Sequence, residues 1–244
     1  MLRELFKNCP LVNRLRPTRK DRTCVIQSFL GKIHAKWMKR LEADDATLQN
    51  VARGVQKPVA VMFADLRNFT RTTAEMPPAR IVELLDAFLP EMVHIIIEKH
   101  FGMVDKILGD GILAVFGHPY ATENDLEAAL RASADMHAAM NDLGSVFDRL
   151  GLPRMSLGIG LNWGEVLVCH IGSKQHSENT IIGQPVNLAA KMEDIAKARE
   201  VMLAAPGADH LRRTVPLLAG LLEPIGETAY GTGHARFHWE KLGG

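Results

Sequence analysis

The order in which strand-like and helix-like patterns follow one another most constrains the fold of this chain. An apolar run suited to a buried strand comes first, and stripes of helical spacing then alternate with further short apolar runs. The order strand, helix, strand, strand, helix, strand is that of the ferredoxin-like βαββαβ core, so the sequence predicts an α+β sandwich. The segments are a strand at 58–65, a helix at 79–100, two strands joined at Gly109-Asp110-Gly111, a helix at 123–149 and a strand pair around Trp163-Gly164.

Further elements are predicted on both sides of this core. Residues 24–42 carry apolar side chains at helical spacing and predict one amphipathic helix. We therefore expect a basic helical extension and linker over 1–57 and a folded domain over 58–244. The predicted C-terminal additions are a strand at 178–182, a helix from Pro185 to Lys197, a strand at 200–204 and a hairpin near 219–241.

Composition fits a globular protein of the cytoplasm. The chain has 244 residues, is 47% apolar and has a formal net charge of +1. It shows neither an apolar run of roughly 18 residues nor the apolar core of a signal peptide. Its three cysteines are odd in number and far apart, so reduced thiols are expected rather than disulfides or a metal pair.

The charge is unevenly distributed along the chain. Residues 1–40 contain 11 basic and two acidic residues, a balance of +9, which leaves 18 basic and 26 acidic residues elsewhere, a balance of −8. Such a basic segment suits a membrane surface, a regulatory partner or the acidic body of the protein, and also a simple solvated extension. No nucleic-acid partner is predicted, because no recognised binding module accompanies the basic residues.

Two aspartates stand where predicted strands end. Asp65 closes the strand at 58–65, and Asp110 lies in the turn between the next two strands. Those strands are neighbours in the predicted topology, so we expect the two carboxylates to meet and to hold Mg²⁺ or Mn²⁺. The turn that follows, up to Phe69 and Thr70, can offer N–H groups to substrate phosphates. Taken singly, Asp65 also suits a cap or turn, and Asp110 suits an ordinary Asp-Gly hairpin.

Four sequence blocks occur in the order and spacing of one enzyme family. The blocks are FADLRNFT, DKILGDGILAVFG, GIGLNWGEVLVCHIGS and TIIGQPVNLAAKME. Together they resemble the catalytic domain of class III nucleotidyl cyclases, the adenylate and guanylate cyclases, over about Val59 to Leu242. The resemblance implies that residues 58–244 form such a domain. It also implies a homodimer, with two Mg²⁺ or Mn²⁺ ions in each site and each site shared between two chains.

The resemblance also implies roles for individual residues. Asp65 and Asp110 become the metal ligands, and Lys106 and Thr180 fall at the positions that read the purine. This pair indicates adenine, because the ammonium donates to ring nitrogen N1 and the hydroxyl accepts from the amino group. ATP is then the substrate, and cyclic AMP and pyrophosphate are the products. Asn187 matches the asparagine that orients the ribose.

The sequence departs from the family pattern at positions that hold the triphosphate. Lys191 stands in place of the transition-state arginine, and it keeps the charge but lacks the bidentate fork. Gln175 and His176 occupy a segment where an arginine is usual, and Tyr230 and Thr232 stand where many members have lysines.

These departures leave two functional hypotheses. The first is an adenylate cyclase, slow or dependent on a partner for activation. The second is a catalytically weak or inactive cyclase-like module that binds nucleotide or dimerises for regulation. A diguanylate cyclase is disfavoured, because the LGDG block lacks the GGDEF string.

Overall fold

One mixed β-sheet with helices on both faces organises the described part of the chain. The computed structural model describes residue 26, residues 29–172 and residues 177–242. Within these ranges the sheet has eight strands. No helix in the same ranges combines the length and apolar character needed to cross a bilayer.

The strands and helices follow one another as the alternating pattern predicts. The strands are β1 (Val55–Leu66), β2 (Met103–Leu108), β3 (Gly111–Phe116), β4 (Leu157–Gly172), β5 (Ser177–Ile182), β6 (Val201–Leu203), β7 (Leu222–Pro224) and β8 (Ala235–Phe237). The α-helices are α1 (Ala35–Ala43), α2 (Asp45–Arg53), α3 (Phe69–Thr73), α4 (Pro78–His94), α5 (Asp125–Leu150), α6 (Gln184–Ile195), α7 (Ala205–Thr214) and α8 (Pro216–Ala219). A π-helical turn (Ile95–Lys99) extends α4, and a 3-10 turn (Trp239–Lys241) follows β8.

The sheet topology confirms the ferredoxin-like core. Its strand order is β2-β3-β1-β4-β6-β8-β7, with β5 paired to β4. The first four strands in this order, together with α4 and α5, form the βαββαβ unit, and β1 runs antiparallel to both β3 and β4. The predicted C-terminal hairpin is present as β7 and β8. The end of β1 therefore lies beside the β2–β3 turn.

The two faces of β1 enter different apolar clusters because side chains alternate along a strand. Met62 and Leu66 point to the face covered by α4 and α5, where Leu84 and Phe88 are fully buried. This cluster is the main core of the domain. It holds α4 and α5 on one side of the sheet. Asp65 is next to Leu66 in β1, so its side chain points to the opposite side.

The second face of the sheet is covered by the two helices that precede β1. Trp37 and Leu41 of α1 and Leu48 of α2 pack with Val59 and Val61 of β1. The helices before residue 57 thus share a core with the sheet, and β1 begins at Val55, ahead of the expected boundary. The division of the chain at residue 57 stays a prediction.

The prediction of one helix over 24–42 is wrong in the described residues. The chain turns at 30–33, and α1 begins only at Ala35. Gly31 has a φ of +73°, a conformation that suits glycine and interrupts a right-handed helix. The imidazole of His34 then caps the new helix by accepting a hydrogen bond from the N–H of Lys36. The turn brings Lys32 against Asp105 of β2.

The predicted strand pair around Trp163-Gly164 is also wrong, because β4 is a single strand of 16 residues. Its pairing with β1 continues without interruption through Trp163 and Gly164. Gly164 serves packing instead of a turn, since a Cβ there would lie 2.7 Å from Pro185. Helix α7, which the sequence analysis did not predict, follows β6.

Candidate active site

The strand pairing brings Asp65 and Asp110 together. Ala64 of β1 is paired with Ile112 of β3, so Asp65 lies next to the β2–β3 turn that carries Asp110. Burial and the negative charge of Asp65 raise the pKa of Asp110 to about 6. The backbone N–H groups of Asp110 and Leu66 bond the same carboxylate and oppose that rise. Two carboxylates facing each other in this way repel, and a cation between them would relieve that repulsion.

Arg67 holds Asp65 in place from the other side. Its Nη2 lies 3.0 Å from Oδ2 of Asp65, and it also contacts the carboxylate of Glu193 on α6. Its Nη1 donates to the backbone oxygens of Glu193 and Ala196, each at 3.2 Å. Sequence analysis missed this residue, which lies in the turn directly after β1. Arg67 thereby joins the carboxylate pair to the end of α6.

The turn after β1 provides fewer free amides than the sequence suggested. The N–H of Leu66 bonds Asp110, and the N–H of Arg67 donates to the oxygen of Ser156 at 2.8 Å. Asn68 has a φ of +61°, the left-handed region, and initiates the short helix α3. The side chain of Phe69 packs against the main core, whereas Thr70 is exposed. A phosphate contact by Phe69 would therefore come from its backbone, and the roles of both residues stay predictions.

The structure brings the two predicted purine readers into direct contact. Nζ of Lys106 donates to Oγ1 of Thr180 at 2.9 Å and to Oε1 of Glu178 at 3.0 Å. The same ammonium lies 3.2 Å from Oδ2 of Asp105. Burial by itself would lower the pKa of Lys106, but the hydrogen bond to Glu178 and the charge of Asp105 raise it overall. Lys106 is therefore a charged donor that already has three acceptors.

A β-bulge explains how Asp105 comes to be part of this cluster. The pairing of β2 with β3 shifts between Val104 and Lys106, which leaves Asp105 without a partner in the ladder. The carboxylate of Asp105 is buried, and burial raises its pKa while the charge of Lys106 lowers it. Lys32, from the turn before α1, donates from Nζ to the backbone oxygen of Asp105 at 2.8 Å. Sequence analysis missed Asp105, because a bulge cannot be read from alternation alone.

Helix α6 carries the two predicted catalytic side chains. It packs closely on β4 at Gly160, where a Cβ would lie 2.1 Å from the backbone nitrogen of Glu193. Its Ala189 is buried, whereas Asn187 and Lys191 are exposed. In the described residues no hydrogen bond or ion pair joins Asn187 or Lys191 to the carboxylate pair or to Lys106. The single chain therefore does not bring these two sets of residues into contact.

Lys191 instead lies against the C-terminal hairpin. Its Nζ is 5.1 Å from the centre of the Tyr230 ring, a cation–π distance. The hydroxyl of Tyr230 in turn donates to Asp194 at 2.6 Å. The departures at Lys191 and Tyr230 are thus in contact with each other. Gln175 and His176 lie outside the described residues.

With this geometry established, comparison with known proteins identifies the family. The model of the adenylate and guanylate cyclase catalytic domain matches residues 51–217. The chain belongs to this family. It carries a class III nucleotidyl cyclase catalytic domain, and the βαββαβ core and the motif blocks are those of the family.

Relatives of the cyclase domain occur in Mycobacterium tuberculosis, among them two uncharacterized proteins. Protein Rv1319c is 32% identical over 154 residues, and protein Rv1318c is 35% identical over 155 residues; each match covers 62% of this chain. The chain spans about a quarter of the length of these relatives, 27% and 26% respectively. The similarity therefore concerns one region of much longer proteins.

Solved structures of both kinds of cyclase resemble the domain. The guanylyl cyclase Cya2 is 26% identical with a TM-score of 0.65, covering 75% of this chain and 91% of that one. The adenylyl cyclase CyaB from P. aeruginosa is 25% identical with a TM-score of 0.66, covering 75% and 95%. A bacterial light-regulated adenylyl cyclase shares the fold at 20% identity, with a TM-score of 0.69, covering 90% and 62%. Structures similar to this domain thus include cyclases named for each of the two purines.

Proposed function

We propose that the cyclase domain converts ATP to 3′,5′-cyclic AMP and pyrophosphate. The observation that carries this proposal is the contact of Lys106 with Thr180, a fixed donor beside a fixed hydroxyl. Adenine offers an acceptor at N1 and a donor at its amino group, and this pair complements both. The cluster lies between β2 and β5, close to a cavity of about 430 Å³ that Lys106 and Glu178 help to line.

The carboxylate pair fits a divalent cation. The described residues contain no group of three or more His, Cys, Asp or Glu side chains suited to a metal, so Asp65 and Asp110 would supply the side-chain ligands. Mg²⁺ suits such a site because it is often held by one or two carboxylates together with substrate phosphates. Two Mg²⁺ or Mn²⁺ ions bound there would stabilise the charge on the attacking and leaving oxygens. The mutual repulsion of the two carboxylates supports this assignment.

Different residues of this chain would have different roles in the reaction. Lys106 and Thr180 hold the base and so fix the position of the ribose, whose 3′-hydroxyl attacks the α-phosphate in line with the departing pyrophosphate. Asn187 orients the ribose, and Lys191 offers positive charge to the phosphate as charge develops. Arg67 keeps Asp65 in one orientation through the transfer.

A homodimer with sites at its interface completes the proposal. Asn187 and Lys191 are exposed, and nothing in the described part of the chain brings them to Asp65. Exposed apolar side chains also lie on β2, β4 and β5, at Ile107, Leu108, Ile171 and Ile182. A second copy packed against the ends of these strands would bury some of them.

One observation favours the second candidate, a cyclase-like module with little or no turnover. The ammonium of Lys191 is held over the Tyr230 ring, and Tyr230 is fixed by Asp194. Lysine at this position cannot form the bidentate contact with phosphate that arginine can. A nucleotide could then bind without being cyclised at an appreciable rate.

Product analysis separates the two candidates. Purified protein is incubated with ATP or with GTP, in the presence of Mn²⁺ or Mg²⁺, and the nucleotides are identified by chromatography. The proposal predicts cyclic AMP from ATP and little cyclic GMP from GTP. Bound but unchanged nucleotide in every mixture would favour the regulatory module, and cyclic GMP as the main product would contradict the assignment of the purine readers.

A further inference from the structure

The hydroxyl of Thr180 is held between two groups that together fix the direction of its proton. A threonine hydroxyl has one proton to donate and two lone pairs to accept with. The ammonium of Lys106 can only donate, so at 2.9 Å the hydroxyl must be its acceptor. The proton of the hydroxyl is directed at Oδ2 of Asp105, 3.5 Å away. One lone pair of Thr180 is then left for a ligand.

We propose that Asp105 is a positioning residue that sets the purine preference through the hydroxyl of Thr180. This inference deepens the proposed function and rests on it. With its proton directed at Asp105, Thr180 faces the base only as an acceptor. It can then accept from the 6-amino group of adenine, whereas the 6-oxo group of guanine or hypoxanthine would place two acceptors against each other.

The position of Asp105 suits this role. The bulge in β2 takes it out of the ladder and into contact with Lys106 and Thr180. Its side chain is 0% exposed, so it acts through Thr180 and does not touch the base itself. Contacts with two lysines, Lys106 at the carboxylate and Lys32 at the backbone oxygen, hold it in place.

A different role for Asp105 makes a different prediction. As a buried counter-ion that only supports Lys106, it would lower the use of ATP, whose N1 accepts from the ammonium, with or without the hydroxyl of Thr180. As the group that orients Thr180, it would affect adenine and 6-oxopurine nucleotides in opposite directions, and only while Thr180 carries its hydroxyl. A gain for the 6-oxopurine nucleotide and its dependence on Thr180 therefore distinguish the two roles.

The test compares ATP with inosine triphosphate, whose base has an oxo group at position 6 and no 2-amino group. The value of kcat/KM is measured for each nucleotide in the unchanged protein, Asp105→Asn, Thr180→Val and the double variant. In Asp105→Asn the new amide can donate to Thr180 and release the hydroxyl proton toward the base. We expect the preference for ATP to fall about tenfold, the value of one ordinary hydrogen bond, with a gain for inosine triphosphate.

The double variant tests the route of the effect. If Asp105 acts through the hydroxyl, Asp105→Asn has no further influence on the ratio once Thr180 is valine. An equal loss for both nucleotides in Asp105→Asn would overturn the inference, and so would an undiminished change of ratio in the valine background. If Asp105→Asn does not fold, Thr180→Val alone decides, because an acceptor-only hydroxyl predicts loss for ATP and none for inosine triphosphate.

A nucleotide-binding experiment tests this inference even if the proposed catalysis fails. If the unchanged protein forms no cyclic product from either nucleotide, the proposed catalysis fails, and the inference is then tested by displacement of a fluorescent ATP analogue. The ratio of the ATP and inosine triphosphate affinities should shift toward inosine triphosphate in Asp105→Asn. An unchanged ratio of affinities in that experiment would overturn the inference by itself.

Discussion

Nζ of Lys106 lies 2.9 Å from Oγ1 of Thr180, although the two residues are 74 positions apart in the sequence. β2 and β5 are not paired in the sheet, so this is a tertiary contact between side chains of two separate strands. A donor and an acceptor held at this distance can read one edge of a purine. The contact therefore leads directly to predictions about substrate choice.

Exchanging both purine readers should reverse the preference of the enzyme. In Lys106→Glu with Thr180→Cys, the new carboxylate accepts hydrogen bonds from N1–H and from the amino group of guanine. Lysine cannot do this, because it only donates. We expect kcat/KM for GTP to rise relative to that for ATP by about tenfold or more. The measurement is cyclic nucleotide formation with each substrate, and a preference for GTP in the unchanged protein would contradict the assignment.

Glu178 should compete with ATP for Lys106. All three ammonium protons already face acceptors, and the side chain of Glu178 is 37% exposed, so it is the partner that adenine most easily displaces. Glu178→Gln weakens that competition, and we expect KM for ATP to fall by up to about fivefold, the range of an exposed ion pair. A higher KM with an unchanged kcat would show instead that Glu178 helps to hold the base.

The charged carboxylate of Asp110 should destabilise the folded protein when no metal is bound. Its pKa is about 6 in the fold, against 3.8 for the ordinary group, so the folded state binds this proton more tightly than the unfolded chain does. Its contribution to stability is therefore greatest below about pH 4 and is lost as the pH rises to about 6. Asp110→Asn should raise the free energy of unfolding at about pH 7.5 by on the order of 1 kcal/mol, after allowance for its partial exposure.

Thermal unfolding without divalent metal checks this prediction. Asp142→Asn, at an exposed position of α5, is the matched control and should leave the melting temperature unchanged. Added Mn²⁺ should stabilise the unchanged protein more than it stabilises Asp110→Asn. Equal melting temperatures for Asp110→Asn and the unchanged protein at both pH 4 and about pH 7.5 would contradict the account.

Lys191→Arg distinguishes a slow enzyme from a module without turnover. Arginine restores a forked donor where charge develops on the phosphate, so we expect turnover to rise about tenfold with little change in KM. Lys197→Arg is the matched control just beyond the end of α6, and Asn187→Ala should lower turnover. If neither the unchanged protein nor Lys191→Arg forms cyclic product, although both are shown to be dimers, the regulatory module becomes the better account.

Sequence patterns predicted the core of the fold because that core depends on regular alternation. The run before Asp65 and the Asp-Gly turn at Asp110 fixed two adjoining strand ends, and the structure confirms that they meet. The predictions were wrong at Gly31, where a continuous helix was expected, and at Trp163-Gly164, where a break between two strands was expected. A glycine suits a turn and close packing equally well. Only the neighbours in three dimensions distinguish these uses.

The missed site residues have a common cause. Arg67 joins Asp65 to Glu193, which is 126 positions away, and a bulge brings Asp105 to Lys106 and Thr180, so neither role follows from local spacing. Contacts between partners distant in sequence need the tertiary structure. The basic residues before residue 26 lie outside the described part of the chain, so the partners predicted for them stay predictions.

Cyclic AMP formation by the unchanged protein and by Asp65→Ala tests the central claim most directly. Both are incubated with ATP and Mn²⁺, and Asp86→Ala, an exposed aspartate on α4, is the matched control. The account predicts cyclic AMP from the unchanged protein and from Asp86→Ala, and a loss of at least about a hundredfold in Asp65→Ala with its melting temperature and dimer retained. Equal turnover in Asp65→Ala, or no cyclic AMP from the unchanged protein, would contradict it.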